Sequence, residues 1–386
     1  MNFSRVRAWV TSWGPDAKTA RELIELLIFS RIALILAGWV GLARLPWKYY
    51  SPQYNVSANP VVLMGIRWDA LWYTGIAMHG YWFQALAFFP MYPFLIALVH
   101  WITFLSVYDT ALIVSNMGLV GFTFVFYALV RDVFGADVAK RSVWIAVMFP
   151  TAFFMSAGYT EGIYMFFSTA VFWLAYRKKF YAAGIFGLLA GLTRNEGAFT
   201  VIPLLWSYYQ SYGWTIRKAL WSVLLVPAGI IAYMVYQWRD FGSPLAFIAA
   251  QGYWGRKISW PWVGIILAFK TIWNGSPLQP DTILSMIDLC AALGFIVLWA
   301  LAWLKKFPVD WLAYWGILLL IDISAPDING QSPLLSMSRL VLILFPGFVM
   351  MGILARSESW QRFFYWVFPM LQATFFLIFA TWHWIA

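Results

Sequence analysis

Charged side chains are scarce in this chain: 11% of its 386 residues are Asp, Glu, Lys or Arg, where soluble domains carry about a quarter. So little charge cannot coat a globular surface, and a water-soluble fold is excluded. Cysteine is almost absent as well. Cys290 stands alone inside an apolar run, which rules out a disulfide framework and a cysteine-based metal site. The histidines, His79, His100 and His383, show no metal-ligand spacing, and no DxD-type pair of acids occurs, so neither a divalent metal nor another cofactor is expected. No linker rich in Gly, Ser and Pro divides the chain and no repeat is visible, so residues 1–386 read as one domain. The N-terminus lacks a short apolar core followed by a small-residue cleavage site, and no removable signal peptide is expected.

What is present is apolar. Hydrophobic residues make up 62% of the chain, and their long runs lack the period-two alternation of a transmembrane barrel. In hydrocarbon, backbone polar groups must then be paired within each segment, so the fold class is all-α, a polytopic transmembrane helical bundle. Allowing roughly 20 residues per span, crossings fall near 24–44, 109–130, 142–157, 159–176, 181–194, 198–210, 219–236, 281–304, 308–323, 339–355 and 364–384, about eleven in all. Basic residues cluster between these runs, which marks topology and argues against a nucleic-acid partner.

With the N-terminus in the cytoplasm, 17 of the 26 basic residues fall inside, among them Arg5, Arg7 and the Arg177-Lys178-Lys179 cluster. This is the positive-inside bias. One miscounted span would reverse the later loops. Three apolar segments, Trp68 to Tyr81, Pro93 to Leu105 and Trp260 to Trp273, suit helices lying in the outer headgroup layer.

The outer face collects Arg67, Asp69, His79, Glu161, Arg194, Glu196, Arg239, Asp240, Arg256, Lys257, Asp322, Asp327 and Arg339. Ionisable groups at a membrane boundary are costly unless paired or used. Solvated loop charge and a functional site are both open for the set.

In the first outer loop, about residues 45–108, the chain reads Arg67-Trp68-Asp69-Ala70-Leu71-Trp72-Tyr73, then Ile76-Ala77, Gly80-Tyr81 and Ala87-Phe88-Phe89-Pro90-Met91-Tyr92-Pro93. This pair of motifs resembles the glycosylphosphatidylinositol mannosyltransferase II (PIG-V) family and its prokaryotic relatives, in the GT-C group of membrane glycosyltransferases. Similar motifs follow at Phe149-Pro150-Thr151 with Tyr159-Thr160-Glu161, at Thr193-Arg194-Asn195-Glu196-Gly197, at Phe241 to Phe247, and at Ser338-Arg339 with Phe345-Pro346, where Leu340 replaces the usual aromatic.

The resemblance implies a GT-C architecture and a transferase that takes a hexose, typically mannose, from a polyprenyl- or dolichyl-phosphate donor on the non-cytoplasmic side. The membrane would be the plasma membrane of a prokaryote, to which the compact length points, or the endoplasmic reticulum of a eukaryote. Membrane lipids, a glycolipid or other acceptor, and a partner subunit are the expected partners. Transfer needs a base for the acceptor hydroxyl and cations for the departing lipid phosphate. The base expected is Asp69, beside Trp68 in the motif that the resemblance marks as catalytic; its alternative role is to cap the following helix. Phosphate ligands are sought in the order Arg339, Arg256, Arg194 and Arg239, since a guanidinium can bind two phosphate oxygens. Arg67, Trp68, Tyr92, Tyr159, Glu161 and Glu196 complete the expected substrate site, with Glu161, Arg194 and Glu196 free to pair with one another or with Arg67. A transporter or lipid flippase and a non-catalytic subunit are the competing readings.

Overall fold

The computed structural model describes residues 14–48, 54–328 and 332–385; Arg5 and Arg7 of the expected inside set lie outside them. Seventeen α-helices lie among the described residues: α1 (Ala17–Arg44), α2 (Pro60–Gly65), α3 (Asp69–His79), α4 (Met91–Thr103), α5 (Val107–Phe134), α6 (Ala136–Met148), α7 (Glu161–Tyr176), α8 (Phe180–Thr193), α9 (Val201–Tyr212), α10 (Leu225–Phe241), α11 (Ala246–Gln251), α12 (Pro261–Asn274), α13 (Pro280–Leu304), α14 (Val309–Ile323), α15 (Met337–Leu340), α16 (Phe345–Leu354) and α17 (Glu358–Ala380). The extended pairing among these residues is an isolated bridge between Arg256 and Asp327. The all-α expectation is met.

The expected count of eleven spans is not confirmed by helix length among the described residues. Five helices are long and apolar enough to cross a membrane by themselves, α1, α5, the 218–241 helix containing α10, α13 and α17. A sixth follows if the pair 337–343 and 345–354, bent by 86°, is one broken span. Proline explains two of the breaks. α6 stops at Met148, and Phe149 is extended (ψ 143°), because the ring of Pro150 disfavours helical backbone in the residue before it. The expected span 142–157 is thus half helix and half turn. Pro346 sits in the first turn of α16, where its missing N–H costs nothing and a new helix axis can begin.

Polar side chains fix several of the ends. Asp16 accepts the Thr19 N–H at 3.0 Å to open α1, Asn59 accepts the Val61 N–H at 3.0 Å to open α2, and Ser106 accepts the Asp109 N–H at 3.1 Å to open α5. α5 and α7 pack closely because two glycines remove the side chains between them. A Cβ on Gly162 would lie 2.7 Å from the Ser115 carbonyl oxygen, and one on Gly118 would strike the Ile163 backbone nitrogen. Small residues allow such backbone approach in membrane bundles.

The segment expected to form the first outer loop contains α2, α3, a 3-10 turn over Phe83–Ala87, and α4. The two expected apolar segments there are helices, as is the third at α12.

Candidate active site

Trp68 precedes α3 with φ 52° and ψ −116°, a left-handed backbone that costs a bulky residue about 1–3 kcal/mol. Its ring is held edge-on by Trp382 at 5.4 Å and Trp384 at 5.2 Å. That turn separates its neighbours. Arg67 is fully buried; its Nε donates to the Ala380 carbonyl at 3.0 Å and its Nη1 to the Ile66 carbonyl at 3.2 Å. Its guanidinium lies 4.9 Å from the Trp382 ring centre. Arg67 does not pair with Glu161 or Glu196 as expected, since the reversed backbone at Trp68 sends the two side chains that flank it to different partners.

Asp69 faces a cavity of about 300 Å³. Its carboxylate does not cap α3: the capping position belongs to Trp68, and no side chain makes a cap there. Instead Asp69 Oδ2 accepts from Arg339 Nη1 at 2.6 Å. Arg339 Nε lies 3.8 Å from Glu161 Oε1, and the same oxygen accepts from Arg194 Nη1 at 3.2 Å. Arg194 Nη2 in turn donates to Glu196 Oε1 at 3.1 Å. Five charges of alternating sign therefore form one continuous chain, drawn from α3, α15, α7 and the turn after α8. Burial alone would lift the Glu196 carboxyl, but Arg194 outweighs it and holds the group below its ordinary value.

Tyr159 ties this chain to the scaffold. Its hydroxyl donates to the Arg67 carbonyl at 3.2 Å and accepts the Asp69 N–H at 3.3 Å, and its ring lies 5.4 Å from the Arg339 guanidinium. Tyr92 is one layer further in: its hydroxyl donates to the Ala111 carbonyl at 2.9 Å and lies 2.6 Å from Ser115 Oγ, which donates to the Tyr159 carbonyl at 2.9 Å. Tyr92 thus supports Tyr159 from below and does not line the cavity.

Arg256 and Lys257 enter from the segment after α11, and both line the cavity. Arg256 Nη2 donates to the Leu335 carbonyl at 3.0 Å, and burial draws its guanidinium below the usual value. Arg239 is elsewhere; its side chain is 86% exposed and pairs only loosely with Asp240 at 3.8 Å.

Among the residues that escaped the sequence reading of the site are Trp384, which lines the cavity, and Asp288 and Thr151, which hold the backbone of Ser338. Trp384 lies 5.7 Å from the Arg339 guanidinium and carries no sequence signal. Asp288 accepts the Ser338 N–H at 2.8 Å, and its signal was an acid deep inside an apolar run. Thr151 donates to the Ser338 carbonyl at 2.7 Å from within the Phe-Pro-Thr motif. Among the described residues no group of three His, Cys, Asp or Glu could hold a metal ion.

The segment that carries Trp68, Asp69, Tyr159, Glu161, Arg194 and Glu196 is the part of the chain that resembles known proteins. Residues 50–197 match the family model Mannosyltransferase (PIG-V). GPI mannosyltransferase 2 of Schizosaccharomyces pombe is 30% identical to the chain over 147 residues, which are 36% of this chain. The match spans 30% of that relative's own length. Among solved structures, the apo oligosaccharyltransferase of Archaeoglobus fulgidus superposes with a TM-score of 0.47 at 12% identity, over 94% of this chain and 56% of that one. The same enzyme in complex with Zn and sulfate gives a TM-score of 0.44 at 14% identity, over 93% and 53%.

Proposed function

We propose that the chain is a single integral-membrane transferase domain of GT-C type that moves mannose from a polyprenyl- or dolichyl-phosphate donor to a glycolipid or other acceptor at the extracytoplasmic face. The observation that carries this reading is the Asp69 carboxylate. It lies in the matched segment, faces the cavity, caps no helix, and is held by Arg339 at 2.6 Å.

In this reading the acceptor hydroxyl loses its proton to Asp69 as its oxygen attacks the anomeric carbon. The bond from that carbon to the phosphate oxygen breaks, and its electron pair leaves with the lipid phosphate. Arg339, Arg256, Lys257 and Arg194 are the cations at hand for that phosphate. Arg339 has a second task, because it already touches Asp69: a phosphate that draws Arg339 toward itself would leave the Asp69 carboxylate freer to take a proton. Glu161 and Glu196 keep both guanidiniums in place.

Purified protein is to be incubated with radiolabelled polyprenyl-phosphate mannose and membrane extract, and the labelled product identified. Asp69→Asn keeps size and polarity but removes the base, so transfer should fall about 100-fold or more while expression persists. Unchanged transfer in that variant would remove Asp69 from the role, and no labelled product from the wild type would defeat the assignment.

A further inference from the structure

Three of the four carboxylates around the cavity are committed to guanidiniums: Asp69 to Arg339, Glu161 to Arg194 and Arg339, and Glu196 to Arg194. The fourth is not. Asp322, near the C-terminal end of α14, lines the same cavity and is 8% exposed. Among the described residues it makes no ion pair within 4 Å, and its Oδ2 is buried with no hydrogen-bond partner. Arg256 and Glu196 are near enough to feel its charge.

A buried carboxyl oxygen without a partner is unfavourable for folding, and the cavity is the side from which a partner can reach this group. Hydroxyl groups suit it, because they both donate and accept, and neighbouring hydroxyls can bond the oxygens of one carboxyl group, whereas a phosphate is served by the cations of the site.

We propose that Asp322 is a sugar-binding and specificity-determining residue, whose carboxyl group hydrogen-bonds adjacent hydroxyls of a hexose in the cavity. This rests on the transferase reading above, and the hexose is either that of the donor or that of the acceptor. A buried polar group left unpaired is costly, so the carboxyl group discriminates against sugars that lack the hydroxyl.

The test uses the full-length protein in detergent, with binding followed by tryptophan fluorescence for three probes: polyprenyl phosphate, polyprenyl-phosphate mannose and octyl α-mannoside. Asp322→Leu should leave polyprenyl phosphate binding unchanged and weaken a mannose-bearing probe by about tenfold or more. Loss confined to polyprenyl-phosphate mannose assigns the donor sugar, and loss confined to octyl mannoside assigns the acceptor sugar. The same variant should melt no lower than the wild type, because it removes a buried polar group whose hydrogen bonding is unsatisfied. Unchanged affinity for both mannose probes, or a lowered melting temperature, overturns the inference. If Asp322→Leu does not accumulate, Asp322→Asn, which keeps the shape but only one accepting oxygen, should show a smaller loss in the same direction, and equal affinity there overturns the inference too. A wild type that binds polyprenyl-phosphate mannose no better than polyprenyl phosphate and forms no product defeats the transferase reading instead.

Discussion

Asp288 and Ser338 are fifty positions apart and joined at 2.8 Å, the Ser338 N–H donating to Asp288 Oδ1. The carbonyl of Ser338 is held from the other side by Thr151 at 2.7 Å. The residue that follows is Arg339, which pairs with Asp69. A carboxylate on α13 therefore sets the backbone from which the central guanidinium projects. Asp288→Asn retains an accepting oxygen and should keep most activity, whereas Asp288→Leu should lower turnover by about tenfold or more. Thermal melting alongside the transfer assay checks this. Equal turnover in the two variants would show that the clamp does not position Arg339.

Arg339 neutralises two carboxylates at once, Asp69 at 2.6 Å and Glu161 at 3.8 Å. Arg339→Ala leaves both without that partner, and breaking a buried pair from one side costs about 3–5 kcal/mol. Arg339→Lys keeps the charge but loses the fork that reaches both acids. We expect the Lys variant to fold with reduced transfer and the Ala variant to melt earlier as well. Scanning calorimetry and single-turnover transfer separate the two effects.

The contact between α5 and α7 leaves no room at Gly162, where an added Cβ would meet the Ser115 carbonyl oxygen at 2.7 Å. Gly162→Val should destabilise the protein by about 1–3 kcal/mol through overpacking. Because Glu161 begins α7, transfer should fall with it. Normal stability in that variant would mean that the two helices can separate without loss.

Arg239 provides the contrast. Its pair with Asp240 is solvent-exposed, and pairs of that kind contribute about 0–1 kcal/mol. Arg239→Ala should change neither melting temperature nor transfer measurably. A large loss of transfer would bring Arg239 back among the phosphate ligands.

Sidedness can be tested directly. Cys290 is exposed on α13, so it must be replaced by Ser before single cysteines are introduced at other sites. A cysteine at position 82, in the loop that follows α3, should react with a membrane-impermeant maleimide added outside intact cells or spheroplasts. Protection there, with labelling only after permeabilisation, would put the cavity on the cytoplasmic side.

The long helices were legible because their apolar runs are uninterrupted: α1, α5, α13 and α17 all fall on expected spans. α3 was also readable, from aromatic residues set among polar ones, whereas α4 is apolar enough to cross and was kept out of the span count only by the charge parity of the later loops. The breaks were harder to see. Pro150 and Pro346 stand inside runs that remain apolar on both sides, so hydropathy continues where the backbone does not. The individual members of the site stood out as ionisable residues in apolar surroundings, but not their pairing. Nothing local links Asp69 to Arg339, 270 positions away, and adjacency misled for Arg67, which the left-handed turn at Trp68 directs to the Ala380 carbonyl.

By formal charge the acids and bases around the cavity are evenly matched, Asp69, Glu161, Glu196 and Asp322 against Arg194, Arg256, Lys257 and Arg339. A site with no surplus positive charge gains little from electrostatic pull alone. A sugar-bearing phosphodiester carries one negative charge, and the bare lipid phosphate left after transfer carries roughly one more. The spent carrier is then the less comfortable guest, and the same balance that admits the loaded lipid favours its discharge back to the bilayer.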